Sequence, residues 1–249
     1  MSRSSTSVFR AFRLWVGLWA AAASPGLGAQ TISVEFDSVD HVFSSDEQAV
    51  ITRIANSVAA EVREVLPQVP PTVRLTVSAG EAVIVETGEM GMAPEPGRVS
   101  WTVDASRPEG VIAIANGHLR STLFHELHHL ARGYVVRGGS RRTSFMDVVV
   151  SEGMATAFER DFAGARPPWG AYPEDVSVWV DELVALPMSA FGSYAKWMLE
   201  HPDGRRWIGY RAGTYIVDQA MAASGKSSAD LVLTGTAEVL QLAGIDGPP

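Results

Sequence analysis

The chain has 249 residues, 46% of them hydrophobic, which is enough apolar material for one large domain or two small ones. It contains no Cys, which excludes disulfides, thiolate metal ligation and cysteine nucleophiles, and leaves His and carboxylates as the good metal donors. Its net charge of −8 argues against a nucleic-acid partner, since nothing attracts phosphates to an acidic domain.

In chain order, the first segment reads as a leader. Arg3, Arg10 and Arg13 precede a short apolar run at 14–23, and Leu27, Gly28 and Ala29 close it with small residues. This is the pattern of a secretory signal peptide over residues 1–29, which predicts a secreted or periplasmic protein with no stable membrane insertion after cleavage. Losing those three arginines takes the charge from −8 to −11. Residues 30–249 are then one domain, with a sheet-containing part at 30–117 and a helical part at 118–249.

Ile32, Val34 and Phe36 alternate as in a strand. Ser44, Ser45, Asp46 and Glu47 open a helix, and Val50, Ile51, Ile54, Val58, Val62 and Leu66 carry its apolar stripe to Pro67. Residues 73–77, 82–85, 98–103 and 111–115 read as strands, and the Gly, Pro and Met residues of 88–97 as a loop. Helices are expected at about 118–132 and 144–162, the second with Ser144 as a cap. From Pro173 to Ala243 the chain reads as helices broken at Pro187, at 201–204 and at Ser224-Gly225. The predicted fold class is α+β: a small N-terminal sheet with one helix, followed by a mainly helical region.

The most informative residues are His125-Glu126-Leu127-His128-His129. Residues four apart share a helix face, so His125 and His129 can aim at one point and form half of a tetrahedral zinc site. Glu126 falls beside that point, where a carboxylate can take a proton from a water the metal activates. His128 is a packed neighbour or a group supporting a ligand. A catalytic zinc takes a third protein ligand. Glu152, 23 residues after His129 and flanked by Val148, Val149, Val150 and Met154, is the first choice, ahead of Asp147, Glu159 and Asp161. The small residues Gly153 and Ala155 are expected to bring its helix close to the first. Glu159 falls on the face of Glu152 and can orient a ligating His or stand as surface charge. Zinc is inferred from the ligand type, and manganese or iron suits the same donors.

His-Glu-x-x-His followed by Glu152-Gly153-Met154-Ala155 resembles the gluzincin group of metallopeptidases. The pattern is closer still to a family of predicted zinc-dependent proteases known as a domain of unknown function. Members carry His-Glu-Leu-His-His, Glu-Gly-x-Ala and a later Gly-Tyr-x-x-Gly segment, here Gly209 to Gly213. The resemblance implies a zincin-like helical region and covers about 119–244. Gluzincins of the thermolysin type place an Asp four residues after the third ligand, and here that position is Thr156. The resemblance also implies that 111–115 forms a sheet edge over the cleft, to which an extended peptide adds as a strand. An ordinary core strand is the alternative.

These residues predict a zinc-dependent metallopeptidase acting on a peptide or protein. His125, His129 and Glu152 hold Zn2+, and Glu126 is the general base. Tyr210 is the first candidate to stabilise the oxyanion, ahead of Tyr215 and His201, with a buried packing role as its alternative. Arg132, Arg137, Arg141 and Arg142 form a solvated loop or face an acidic substrate group. Two other readings use the same metal: a non-catalytic binding module, and a hydrolase of a non-peptide amide or ester.

Overall fold

The computed structural model describes residues 31–139 and 142–247. The leader at 1–29 and Arg141 lie outside the described residues.

Strand β1 (Thr31–Phe36) leads through helix α1 (Ser45–Val65) to β2 (Thr72–Ala79). Ser44 starts α1 with a capping box. Its hydroxyl accepts the Glu47 N–H, and the Glu47 carboxylate accepts the Ser44 N–H at 2.7 Å. That reciprocal pair satisfies two amides that no helical carbonyl reaches. Ile51, Ile54, Ala55, Val58, Ala59 and Val62 then recur at three- and four-residue spacing and are buried. Strands β3 (Glu89–Glu95) and β4 (Arg98–Val103) complete a four-stranded sheet of order β1-β2-β4-β3. β1, β2 and β4 are parallel, and β3 runs antiparallel along the edge.

Three expectations are corrected here. Residues 89–95 are not loop but the edge strand, with an irregular register between Met92 and Glu95 beside Pro94. Residues 82–85 are not a strand; they turn, and Ile84 makes a single bridge to Glu89. Val111–Ala115 is helical, so no peptide can add to it as a strand.

Helix α2 (Gly110–Ile114) continues through a π turn (Ala115–Leu119) into α3 (Arg120–Arg132). The helix that carries His125 and His129 therefore begins well before residue 118. Gly133, at φ 72°, ends it in the left-handed conformation that glycine adopts at no steric cost. Helix α4 (Phe145–Ala163) starts from Ser144, whose capping-box partner is Asp147. Next come α5 (Val176–Val184), a 3-10 turn (Met188–Ser193), α6 (Tyr194–Met198), α7 (Ile208–Ser224) and α8 (Thr236–Leu242). The breaks fall near Pro187, 201–204 and Gly225, as the sequence indicates.

The apolar interior has two parts. One joins the sheet, α1, α2 and α3, and Phe158 of α4 reaches into it. The other gathers most of α4 with α5, α7 and α8. Between α4 and α7 the backbones touch. A Cβ on Gly153 would lie 2.1 Å from the Gly213 carbonyl carbon, and one on Gly213 would lie 2.1 Å from the Val149 carbonyl oxygen. Gly153 thus serves contact with α7, not the expected approach to α3. Gly209, one turn before Gly213, makes room for Met198 in the same way. Among the described residues, no helix is long and apolar enough to cross a membrane.

Candidate active site

α3 and α4 lie side by side where the two interiors meet. Leu123, Phe124, Leu127 and Leu130 of α3 are buried, so its opposite face turns to the cleft between β3, α4 and α7. His125 and His129 stand on that face, with ring centres 4.7 Å apart. From α4, Glu152 Oε2 lies 3.2 Å from His125 Nε2 and 3.2 Å from His129 Nε2. One donor atom from each residue lies within 4.8 Å of the others, and all three side chains are buried.

The donor set fits a zinc ion. Bonds of about 2.0–2.1 Å in a tetrahedron set neighbouring donors about 3.3 Å apart. Without a cation, Glu152 could accept from both Nε2 atoms only if each carried its proton. His125 Nδ1 also faces an acid, Glu159 Oε1, at 3.4 Å, so protons on both nitrogens would make that buried ring cationic. A divalent cation between the three lets neutral imidazoles offer lone pairs instead. Burial opposes charge at each position. Even so, Glu152 and Glu159 hold the His125 imidazolium well above its ordinary pKa, and the two imidazoles hold the Glu152 carboxyl far below its own.

Glu159 is held in turn by Trp169, whose indole N–H donates to its carboxylate at 3.1 Å. It stands where an acid supporting a ligand is useful. Thr156, at the thermolysin-type Asp position, has a buried hydroxyl without a hydrogen-bond partner among the described residues. His128 is not at the centre. It is fully buried beside Phe158, ring centres 5.4 Å apart, and burial depresses its pKa well below the ordinary value.

Glu126 is buried next to the three donors. Burial raises its carboxyl pKa, while the two imidazoles pull it back. It lies against the edge strand: a Cβ on Gly91 would sit 3.0 Å from Glu126 Oε1 and 2.4 Å from Thr122 Cγ2. Only glycine lets β3 pass this close. The carbonyls of Glu89 and Ala93 point away from β4, accepting the Ile84 and Val136 N–H groups at 3.0 and 3.1 Å. By strand alternation, the N–H and C=O of Gly91 face the same outer side. Glu89 ties this strand to the metal helix, accepting from Trp101 Nε1 at 2.7 Å and Thr122 Oγ1 at 2.9 Å.

The cleft encloses about 430 Å³. Tyr210 lines it, against Trp207 and Trp169 with ring centres 5.8 and 6.5 Å away, and its hydroxyl interacts with that of Tyr194. Tyr215 instead meets Tyr172 edge-on at 5.4 Å, and His201 pairs with Asp203 at 2.8 Å and leans on Trp197 with its ring tilted. Neither Tyr215 nor His201 is among the residues lining the cleft. The loop arginines part company. Arg132 is bound by Ser151 Oγ and the Val232 and Thr234 carbonyls, whereas Arg142 lines the cleft. Tyr134, Trp169, Tyr194 and strand β3 carry no motif, and sequence reasoning missed them as parts of the site.

A buried His-His-Glu cluster able to hold a metal ion thus sits on two packed helices, with a second carboxylate beside it and a sheet edge along one wall. The family described as "Predicted Zn-dependent protease (DUF2268)" matches residues 47–241, and the chain belongs to that family. No curated protein and no solved structure shows significant similarity to it.

Proposed function

We propose that the protein is an exported zinc metallopeptidase. One observation carries the reading: His125, His129 and Glu152 converge, and the carboxylate of Glu126 lies next to them without serving as one of the three donors. A purely structural metal has no use for that acid. The leader at 1–29 supports export.

When bound, zinc supplies Lewis acidity, which makes water more acidic and polarises a carbonyl. The protein does the remaining work. Glu126 accepts the proton that water gives up and passes it to the departing amine. Glu159 fixes the ring of His125 through Nδ1. The outward N–H and C=O of Gly91 are placed to pair with one residue of an extended substrate, laying the chain past Glu126. Tyr210, with its pKa pushed well up by burial, stays protonated and donates to the oxyanion that forms at the scissile carbonyl.

Glu126→Gln tests this. The variant is expected to keep one zinc per chain and lose about 100-fold or more in kcat on a peptide pool, the usual weight of a general base. Zinc retention with unchanged hydrolysis removes Glu126 as the base. A wild-type protein that binds zinc yet cleaves no peptide favours the binding module or the non-peptide hydrolase.

A further inference from the structure

Four carboxylates line the cleft: Glu89, Glu126, Glu152 and Glu159. Most other wall residues are apolar or aromatic, among them Met90, Met92, Val136, Val148, Phe191 and Leu199. Arg142 is the one Lys or Arg among the described residues that line it.

Its guanidinium is placed but not consumed. The guanidinium carbon sits 4.5 Å from the centre of the Tyr134 ring, and Nη2 donates to the Val135 carbonyl at 3.3 Å. The Tyr134 hydroxyl takes a further bond. Nε is buried with no hydrogen-bond partner, and no carboxylate pairs with Arg142 among the described residues. Arg132 and Arg160 show the contrast. The first donates to three oxygens, and the second binds both oxygens of Asp218 at 3.0 and 2.8 Å. A planar fork with five donors, held on an aromatic ring and short of acceptors, matches a carboxylate.

Arg142 and Tyr134 also line a second cavity of about 250 Å³, with Arg132, Ser151 and Thr234. Asp147 borders that cavity too, but its carboxylate is engaged by Thr143 and Ser144 at the start of α4. Arg142 thus borders open space in the cleft and in this second cavity. The Tyr134 ring lies 5.1 Å from that of His129, so Arg142 stands two contacts out from the metal donors. An extended chain advances about 3.3 Å per residue, which puts this position within about three residues of the bond broken.

We propose that Arg142 makes the cleft selective for substrates carrying a carboxylate within about three residues of the scissile bond. The inference rests on the peptidase reading and adds its substrate class. Two sources supply that carboxylate: an Asp or Glu side chain, or a free C-terminus.

The test is cleavage of a randomised peptide pool, prepared as free acids and as C-terminal amides, with products read by mass spectrometry. Cleaved sites are expected to be enriched in Asp and Glu at one fixed position if side chains are the source. They are expected to be enriched in free-acid peptides at one fixed distance from the end if the C-terminus is. In Arg142→Gln the enrichment falls about tenfold or more, the usual weight of a bond to a charged group. In Arg142→Glu it turns towards Lys and Arg. Zinc content and thermal unfolding establish that both variants are folded. No enrichment in the wild type, or enrichment that survives both substitutions, overturns the assignment. If nothing is cleaved, the peptidase reading fails separately. Arg142 is then judged by capture of the same pool on immobilised, zinc-loaded Glu126→Gln. Carboxylate-bearing peptides retained only when Arg142 is present uphold the assignment, and equal retention with and without it overturns it.

Discussion

Gly153 follows Glu152, the proposed third ligand, directly and packs on the backbone of α7, so Gly153→Ala asks how the proposed metal centre is held. The added methyl would meet the Gly213 carbonyl carbon at 2.1 Å, where ordinary contact begins at 3.4 Å, a shortfall of about 1.3 Å. The obstacle is the main chain of α7, so no rotamer change relieves it and the helices must part. Such overpacking costs about 1–3 kcal/mol and occasionally more. Replacing Gly within a helix returns up to about 1 kcal/mol. The net expectation is a loss of about 1–2 kcal/mol, or roughly 2–8 °C in melting temperature for a domain of this size. Ligand positions tolerate only about 0.2 Å, so displacing α4 should also weaken zinc binding by about tenfold or more. Circular dichroism melts with and without zinc, and competition against a chelator, measure the two effects. Gly117→Ala is the control, since a Cβ there meets nothing within 4 Å. If Gly153→Ala matches that control in stability and zinc affinity, the close approach of α4 and α7 is wrong.

Two other substitutions probe the surroundings of the centre. Glu159→Ala frees the His125 ring, and zinc affinity should drop about 10–100-fold in chelator competition; an unchanged affinity would show that the 3.4 Å approach does not orient the ligand. Glu89→Gln addresses pH. Burial lifts the Glu89 carboxyl above its ordinary 4.5, against the pull of Thr122 and Trp101. The folded protein then holds this proton more tightly than the unfolded chain does. Between 4.5 and the raised value, ionisation lowers wild-type stability as pH rises, and above that window the cost is constant. The glutamine variant should therefore gain on the wild type as pH increases through the window, in denaturant melts from about pH 4 to 8. A difference independent of pH would refute a raised pKa at Glu89.

Much of this was legible because it is local. Four-residue spacing alone puts His125 and His129 on one face, and Ser144 marks the start of the helix that brings Glu152 to them. Strand β3 was not legible. Met90-Gly91-Met92-Ala93-Pro94 lacks the branched residues that strands prefer, and Gly91 is there because Thr122 and Glu126 fill the space a side chain would take. Val111 to Ala115 misled in the opposite sense. Its branched residues suggest a strand, whereas the buried positions Val111, Ile114, Ala115 and Leu119 follow helical spacing, visible only over a longer window. Gly153 was read as serving the wrong neighbour, because spacing within one helix cannot say which helix will face it.

The π turn at Ala115–Leu119 has a consequence for the length of this helix. A wider turn absorbs one residue more than α geometry allows. Deleting Gly117 would let the segment wind evenly as α-helix, and the turns on either side would keep their faces towards the same interior. Val111 and Ile114 would stay buried and the imidazoles would keep their mutual aim. The wider turn thus works as a buffer: it takes up an additional residue without rotating one end of the rod against the other.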